Sequence, residues 1–238
     1  MKLDILAFGA HPDDVEISSG GTILKYISEG KKIGIIDLTK GELGTRGSAE
    51  LRMEEAKKAS TLLSLSIRKN LNMKDGFFEE TEENKLKIIQ EIRTYQPEIV
   101  LANSISDRHP DHGNAGKLIA DACFLAGLQK IETKIDGIAQ KAFRPRLVLH
   151  YIQDYFIEPD IAIDVSAFTE EKIKVIQSYK SQFFDPQSSE PNTPISGEEF
   201  FDFLKGRMLT VGRPFGAMHA EGFTISRIFG VRDLFQLL

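Results

Sequence analysis

Cysteine and tryptophan are almost absent: one cysteine, Cys123, and no tryptophan stand among 238 residues. A single thiol cannot close an intramolecular disulfide, so nothing in the sequence calls for an oxidising compartment. Positive charge is also in deficit. With 30 Lys and Arg against 35 Asp and Glu, the formal net charge is −5, which argues against nucleic acid or an anionic membrane as partner. No apolar stretch approaches the ~18 residues of a membrane span. The start, Lys2–Leu3–Asp4–Ile5, lacks the basic, apolar and small-residue succession of a signal peptide. A cytoplasmic protein is expected.

What is present is an alternation of strand and helix patterns. Leu3–Gly9 is a short apolar run ending at glycine, as a buried parallel strand does. A helix is expected over Val15–Glu29, despite Gly20 and Gly21, and a second strand over Lys32–Thr39. Helical spacing of Met53, Ala56, Ala59 and Leu63 predicts a helix over Ala49–Leu63. Further strands are expected at Ile67–Leu71, Glu98–Ala102, Arg146–Ile152 and Ile161–Val165, and helices at Asn84–Tyr95, His112–Ala126 and Glu198–Leu209. The proline-rich stretch Asp185–Pro194 reads as a long loop. The fold class is therefore α/β: a Rossmann-like three-layer sandwich with a mainly parallel sheet, forming a single domain over residues 1–238. The aromatic run Phe200, Phe201 and Phe203 reads as core rather than as interface.

Three of the five histidines fall in two short motifs at strand ends. Ala10–His11–Pro12–Asp13–Asp14 follows the first strand, and His109–Pro110–Asp111–His112 follows the Glu98–Ala102 strand. In open parallel sheets ligands bind beyond the carboxyl ends of the strands, where the strand order reverses, so the two motifs are expected to converge. Imidazole and carboxylate suit a divalent metal, zinc foremost. His11 and Asp14, three apart, can project together, with His112 as third ligand and Asp13 left to move a proton. His109 could stabilise an oxyanion and Asp111 could orient a nearby imidazole. Taken singly, Asp13 and Asp14 read equally as helix N-terminal residues. Two histidines and a carboxylate also bind ferrous iron, so Fe²⁺ stays open.

At these residues the chain resembles the PIG-L/LmbE-like N-acetylglucosaminyl deacetylases. The likeness extends to Gly41–Gly47 (GELGTRG), Arg52–Ala56 (RMEEA), and Ser178–Phe183 (SYKSQF), similar to a later helix motif of the family. Asp107–His112 (DRHPDH) and Gly212–Phe223 (GRPFGAMHAEGF) resemble the branch of bacillithiol biosynthesis. The resemblance implies zinc on His11, Asp14 and His112, with Asp13 as general base and acid. It implies His109 as transition-state stabiliser paired with Asp111, and N-acetylglucosaminyl malate as substrate. It also implies a homo-oligomer, since members of this branch form hexamers, with part of the aromatic C-terminal region as interface.

Around these residues, Arg52 and Arg108 could each grip a malate carboxylate, since a guanidinium fork fits it bidentately. Glu42, in a glycine-rich turn, and His219, near the end of the chain, are further substrate-binding candidates, each with an equally good structural reading. His150, inside an apolar strand, reads as a satisfied core residue, and Cys123 as a small hydrophobe. Other readings are a deacetylase of a different N-acetylated sugar or amide, and a noncatalytic sugar- or nucleotide-binding module. Against a nucleotide, the loop after Gly9 has no G-x-G-x-x-G, and its carboxylates would repel a pyrophosphate.

Overall fold

A computed structural model describes residues 1–237, with side chains through Phe235. In chain order its elements are β1 (Ile5–Gly9), α1 (Asp14–Ser28), β2 (Ile33–Asp37), α2 (Ala49–Leu63), β3 (Ile67–Asn70), α3 (Glu82–Tyr95), β4 (Ile99–Ala102) and α4 (Pro110–Ala126). There follow a small hairpin of β5 (Lys134–Ile135) and β6 (Ile138–Ala139), then β7 (Leu147–Tyr151), β8 (Ile161–Asp164), α5 (Thr169–Ile176), α6 (Glu199–Gly212) and β9 (Ala220–Thr224). Seven strands form one sheet in the order β3-β2-β1-β4-β7-β9-β8. Pairing is parallel from β3 through β7, while β9 runs antiparallel between β7 and β8.

Side chains alternate across the sheet and feed two apolar layers. Leu6 and Phe8 face α3 and α4, joined by Ile88, Ile92, Leu118 and Ile119. Ile5 and Ala7 face the opposite layer, with Val15, Ile23, Ala59, Val175 and Phe200 from α1, α2, α5 and α6. Both faces of the parallel strands are thus buried, which explains their near-continuous apolar sequences. The chain winds from β1 outward to β2 and β3, then returns to place β4 on the other side of β1. That reversal opens a crevice at the carboxyl ends of β1 and β4, the place where ligands bind in sheets of this kind.

Several boundaries differ from the sequence expectation. Helix α4 begins at Pro110, two residues before His112. Proline there occupies the first helical turn, and the His109 side chain caps it by accepting the Asp111 N–H (3.2 Å). Ser178–Phe183 is not helical; it lies in turns beyond the end of α5, a helix the sequence reading did not assign. Strand β9 was also missed, because Glu221 and Gly222 interrupt its apolar pattern. Glu221 is there to serve α1, whose backbone leaves helical geometry at Ser19 (φ −140°). Its carboxylate accepts the N–H groups of Gly21 (2.8 Å) and Thr22 (2.7 Å) and pairs with buried Lys172 (2.6 Å). A Cβ on Gly21 would come within 2.8 Å of Val165 Cβ, so this close crossing of helix and strand needs glycine. Among the described residues, no helix is long and apolar enough to cross a membrane.

A buried ionic cluster braces the sheet behind the crevice. Arg68 on β3 donates to both Asp37 oxygens (2.8 Å each) and to Glu16 Oε1 (2.5 Å), which also accepts the Tyr179 hydroxyl (2.7 Å). Removing the guanidinium leaves two buried carboxylates without a counter-charge. Arg68→Met is expected to cost about 3–5 kcal/mol of stability, read from urea denaturation midpoints. A midpoint equal to that of the parent protein would contradict this role.

Candidate metal centre and active site

Each functional side chain stands just beyond the carboxyl end of a parallel strand. The turn after β1 carries His11, Asp13 and Asp14; the segment after β4 carries Asn103, Asp107, His109, Asp111 and His112; Asp75 follows β3 and Gln153 follows β7. Asp14 stands between the two histidines. Its Oδ2 lies 3.6 Å from His11 Nδ1, and its Oδ1 lies 3.1 Å from His112 Nε2. The carboxylate is fixed by the His11 backbone N–H (3.0 Å), Asn103 Nδ2 (3.0 Å) and Gln153 Nε2 (3.3 Å).

The far nitrogen of each imidazole is held by carboxylate. His11 Nε2 donates to Asp75 Oδ1 (3.0 Å) with Asp111 Oδ2 at 3.3 Å, and His112 Nδ1 donates to Asp107 Oδ2 (2.5 Å). Since a carboxylate only accepts, these bonds leave the lone pairs of His11 Nδ1 and His112 Nε2 facing Asp14. Two lone pairs and an anion repel unless a proton or a cation lies among them. The pKa of His112 reflects this: burial would lower it, but Asp14 and Asp107 raise it to about 9. His11 is likewise held above the ordinary histidine value, against its burial, by Asp111, Asp14 and Asp75. The donor set, with each imidazole anchored through its other nitrogen, fits a divalent metal such as zinc.

Among the described residues, two groupings have ligand atoms that all lie within 4.8 Å of one another, His11 with His109 and His112, and His11 with Asp75 and Asp111; Asp14 belongs to neither. His109 is less suited to ligation, because its Nδ1 accepts the Asp111 N–H and the proton of the neutral ring therefore sits on Nε2. Burial and the neighbouring His11 and His112 keep His109 below the ordinary histidine value, so this neutral form dominates near pH 7. An Nε2–H donor is what a developing oxyanion needs. The expected pairing of His109 with the Asp111 carboxylate is corrected: that carboxylate goes to His11 and to the Gly76 N–H (2.8 Å), and only the Asp111 backbone meets His109.

Asp13 has a left-handed backbone (φ 120°), a strained conformation for a residue with a side chain, which turns its carboxylate away from Asp14. Burial raises its pKa to about 7, with Arg52 pulling the other way. Arg52 Nη2 lies 2.8 Å from Asp13 Oδ2, and Arg52 Nε donates to the Pro12 carbonyl (2.9 Å). This guanidinium lines the cavity, but its fork is committed to the Asp13 turn and not presented to a substrate carboxylate. Glu42 does not line the cavity; it accepts the Asp75 N–H (2.9 Å) and so supports that loop. His219 is also outside the cavity, with Nδ1 against the Thr169 hydroxyl at 2.9 Å. Arg108 stands in the cavity wall, paired with Asp154 (2.5 Å). His150 is buried and donates to the Asn103 carbonyl (2.8 Å), and burial raises the thiol pKa of Cys123.

The cavity over this cluster holds about 450 Å³, within the range of small-molecule sites. Its far wall is made by Ile195, Phe200, Phe203 and Arg207, so the aromatic run of α6 is divided between core and cavity. Asp75, Asn103, Asp107, Gln153 and Arg207 received no role from sequence reasoning. A signal for the first four was available: each is a polar residue just past the end of a parallel strand.

These features define an α/β protein with a buried histidine–carboxylate cluster, of a composition that fits a cation, at the switch point of its sheet and a small-molecule cavity above it. The profile of the PIG-L family, described as GlcNAc-PI de-N-acetylase, matches residues 6–123. A solved conserved protein of Thermus thermophilus is 32% identical and superposes with a TM-score of 0.84, over 97% of this chain and 98% of that one. The diacetylchitobiose deacetylase of Thermococcus kodakarensis is 29% identical, over 92% of this chain and 81% of that protein. The probable N-acetyl-alpha-D-glucosaminyl L-malate deacetylase 2 of Bacillus anthracis is 27% identical, over 75% of this chain and 81% of that protein. The chain belongs to the PIG-L family of deacetylases, which are amide hydrolases.

If the carboxylates behind the imidazoles tune the centre, Asp107→Asn should weaken zinc binding about 10- to 100-fold. Competition with a chromogenic chelator measures this directly. Unchanged affinity would mean that Asp107 serves only the local fold.

Proposed function

We propose that this protein is a zinc-dependent deacetylase that hydrolyses the N-acetyl group of an N-acetylglucosamine conjugate, with His11, Asp14 and His112 as metal ligands. The observation that carries the reading is Asp14 lying between two imidazole lone pairs, with a separate buried carboxylate, Asp13, beside it. A divalent cation held by these three side chains supplies Lewis acidity, lowering the pKa of water and polarising the acetamide carbonyl.

The protein side chains do the rest. Asp13, with a pKa near neutrality, takes a proton from the attacking water as its oxygen bonds to the carbonyl carbon. His109 Nε2–H donates to the carbonyl oxygen as negative charge develops there. Asp13 then returns the proton to the departing nitrogen, the C–N bond breaks, and acetate and the free amine are released. Arg52 keeps Asp13 aimed through this cycle, and the left-handed turn at Asp13 keeps its carboxylate off the metal. Ile195, Phe200 and Phe203 supply the apolar wall a pyranose ring can lie against.

The substrate favoured within this class is N-acetylglucosaminyl malate, the conjugate of bacillithiol biosynthesis. Support comes from the Asp107–His112 sequence and from the Bacillus anthracis relative. The Thermococcus relative supports N-acetylated chitobiose as the alternative. Assembly into a homo-oligomer, a hexamer as in the bacillithiol branch, goes with this reading; exposed Ile228, Phe229, Leu234 and Phe235 offer apolar surface for it.

Acetate and amine release from N-acetylglucosaminyl malate, N,N'-diacetylchitobiose and free N-acetylglucosamine tests the reading. Absence of acetate from all three by the zinc-loaded protein would refute it. Asp13→Asn tolerates the same left-handed backbone and is expected to keep stoichiometric zinc while kcat falls about a hundred- to ten-thousandfold. His112→Ala is expected to lose the metal, by elemental analysis; wild-type zinc content in that variant would refute the ligand set.

A further inference from the structure

Three arginines line the active cavity; Arg52 is paired with Asp13 and Arg108 with Asp154, which leaves Arg207. Arg207, on α6, lines the active cavity and also a second cleft of about 380 Å³. The two spaces share Asp154, Phe203 and Arg207, and the second is completed by Phe156, Gly206 and Thr210. Arg207 donates through Nη1 to the Gln153 carbonyl, and its Cζ lies 5.4 Å from the centre of the Phe203 ring. Among the described residues, no carboxylate closes an ion pair with it. The nearby acid Asp154 is already taken by Arg108 (2.5 Å).

The charge balance here differs from that elsewhere in the site. Arg52 answers Asp13, and Arg68 answers Asp37 and Glu16. Of the acids that act on Arg207, Glu221 is held by Lys172 and Asp107 by His112, which leaves Asp154 to be shared by Arg108 and Arg207 at the junction of the two cavities. One positive charge is left over, on a planar fork with most of its N–H groups without a protein acceptor. Its location in a partly desolvated cleft strengthens its pull on an anion. A single surplus charge and a planar fork match a carboxylate. The neighbouring walls, Phe203 (44% exposed) and Phe156 (59% exposed), suit the carbon skeleton that would carry it.

We propose that the cleft shared by Arg207, Phe203 and Phe156 is a distal subsite for a carboxylate on the group attached to the sugar, with Arg207 as its anchor. This rests on the deacetylase reading and adds a specificity residue to it. The carboxylate that sequence reasoning offered to Arg52 or Arg108 goes to Arg207, because Arg52 is committed to Asp13 and Arg108 to Asp154.

The test uses two substrates differing in one charge, N-acetylglucosaminyl glycolate and its methyl ester, with the zinc-loaded full chain. The wild type should prefer the acid by about 10- to 100-fold in kcat/KM, chiefly through KM. In Arg207→Gln the acid-to-ester ratio should fall to near one, and Arg207→Lys should restore part of it. If Arg207 only holds the Gln153 carbonyl, both substrates lose rate together and the ratio stays at the wild-type value; that result overturns the proposal. So does a ratio near one in the wild type. Should neither compound release acetate, the deacetylase reading falls, and calorimetry with glucosaminyl glycolate, the amine, decides the subsite separately. Wild-type binding about tenfold or more tighter than that of Arg207→Gln upholds it, and equal binding overturns it.

Discussion

Asp14 is held between the lone pairs of His11 and His112, and the arrangement around it follows from that constraint. Three electron-rich groups do not stay this close in a buried place without a positive charge among them. The fold meets the demand by fixing each group from behind: Asn103 and Gln153 on Asp14, Asp75 and Asp111 on His11, Asp107 on His112. These braces come from the ends of β3, β4 and β7, so the parallel sheet itself sets the spacing of the site. A shift of β4 along β1 by one residue would separate the two motifs and turn the side chains of β4 to the wrong faces.

Asp13 shows how adjacent carboxylates take different parts. In a regular helical turn Asp13 and Asp14 would diverge by about 100°; the left-handed backbone at Asp13 sends its side chain toward Arg52 instead. Burial then favours its protonated form and Arg52 its ionised form, and the balance falls near neutrality. Asp14 has the opposite outcome, held well below the ordinary carboxylate range by His112 and His11 against its burial. In the proposed mechanism, neighbouring residues of one type thus serve as proton carrier and as ligand.

The rest of the cavity is a matter of charge pairing. Arg52, Arg68 and Arg108 each meet carboxylates of the protein. Arg207 does not, and it stands where the sugar cavity continues into the cleft against α6. Helix α6 therefore has two duties, with Phe200 packed into the core while also lining the cavity, and Phe203 and Arg207 lining both the cavity and the cleft.

The alternation of apolar runs and amphipathic segments was sufficient to place β1 to β4, α1 to α4, β7 and β8, because period and length are local properties. The two histidine motifs were legible for the same reason: each is a compact word at a strand end, and the sheet rule says such words meet. Helix α5, strand β9 and the break in α1 were not legible. Glu221 looks misplaced in a strand until Gly21, Thr22 and Lys172 are brought to it from up to 200 positions away. The same holds for Asp75, Asn103 and Gln153, whose partners are distant in the chain, and for Arg52, whose pairing with Asp13 spans 39 positions. Sequence alone determined the fold class and the chemistry at hand, since residue type and spacing carry both. Which carboxylate faces which imidazole, and which arginine is left free, was decided by tertiary structure, because charge pairing depends on distance in space and not along the chain.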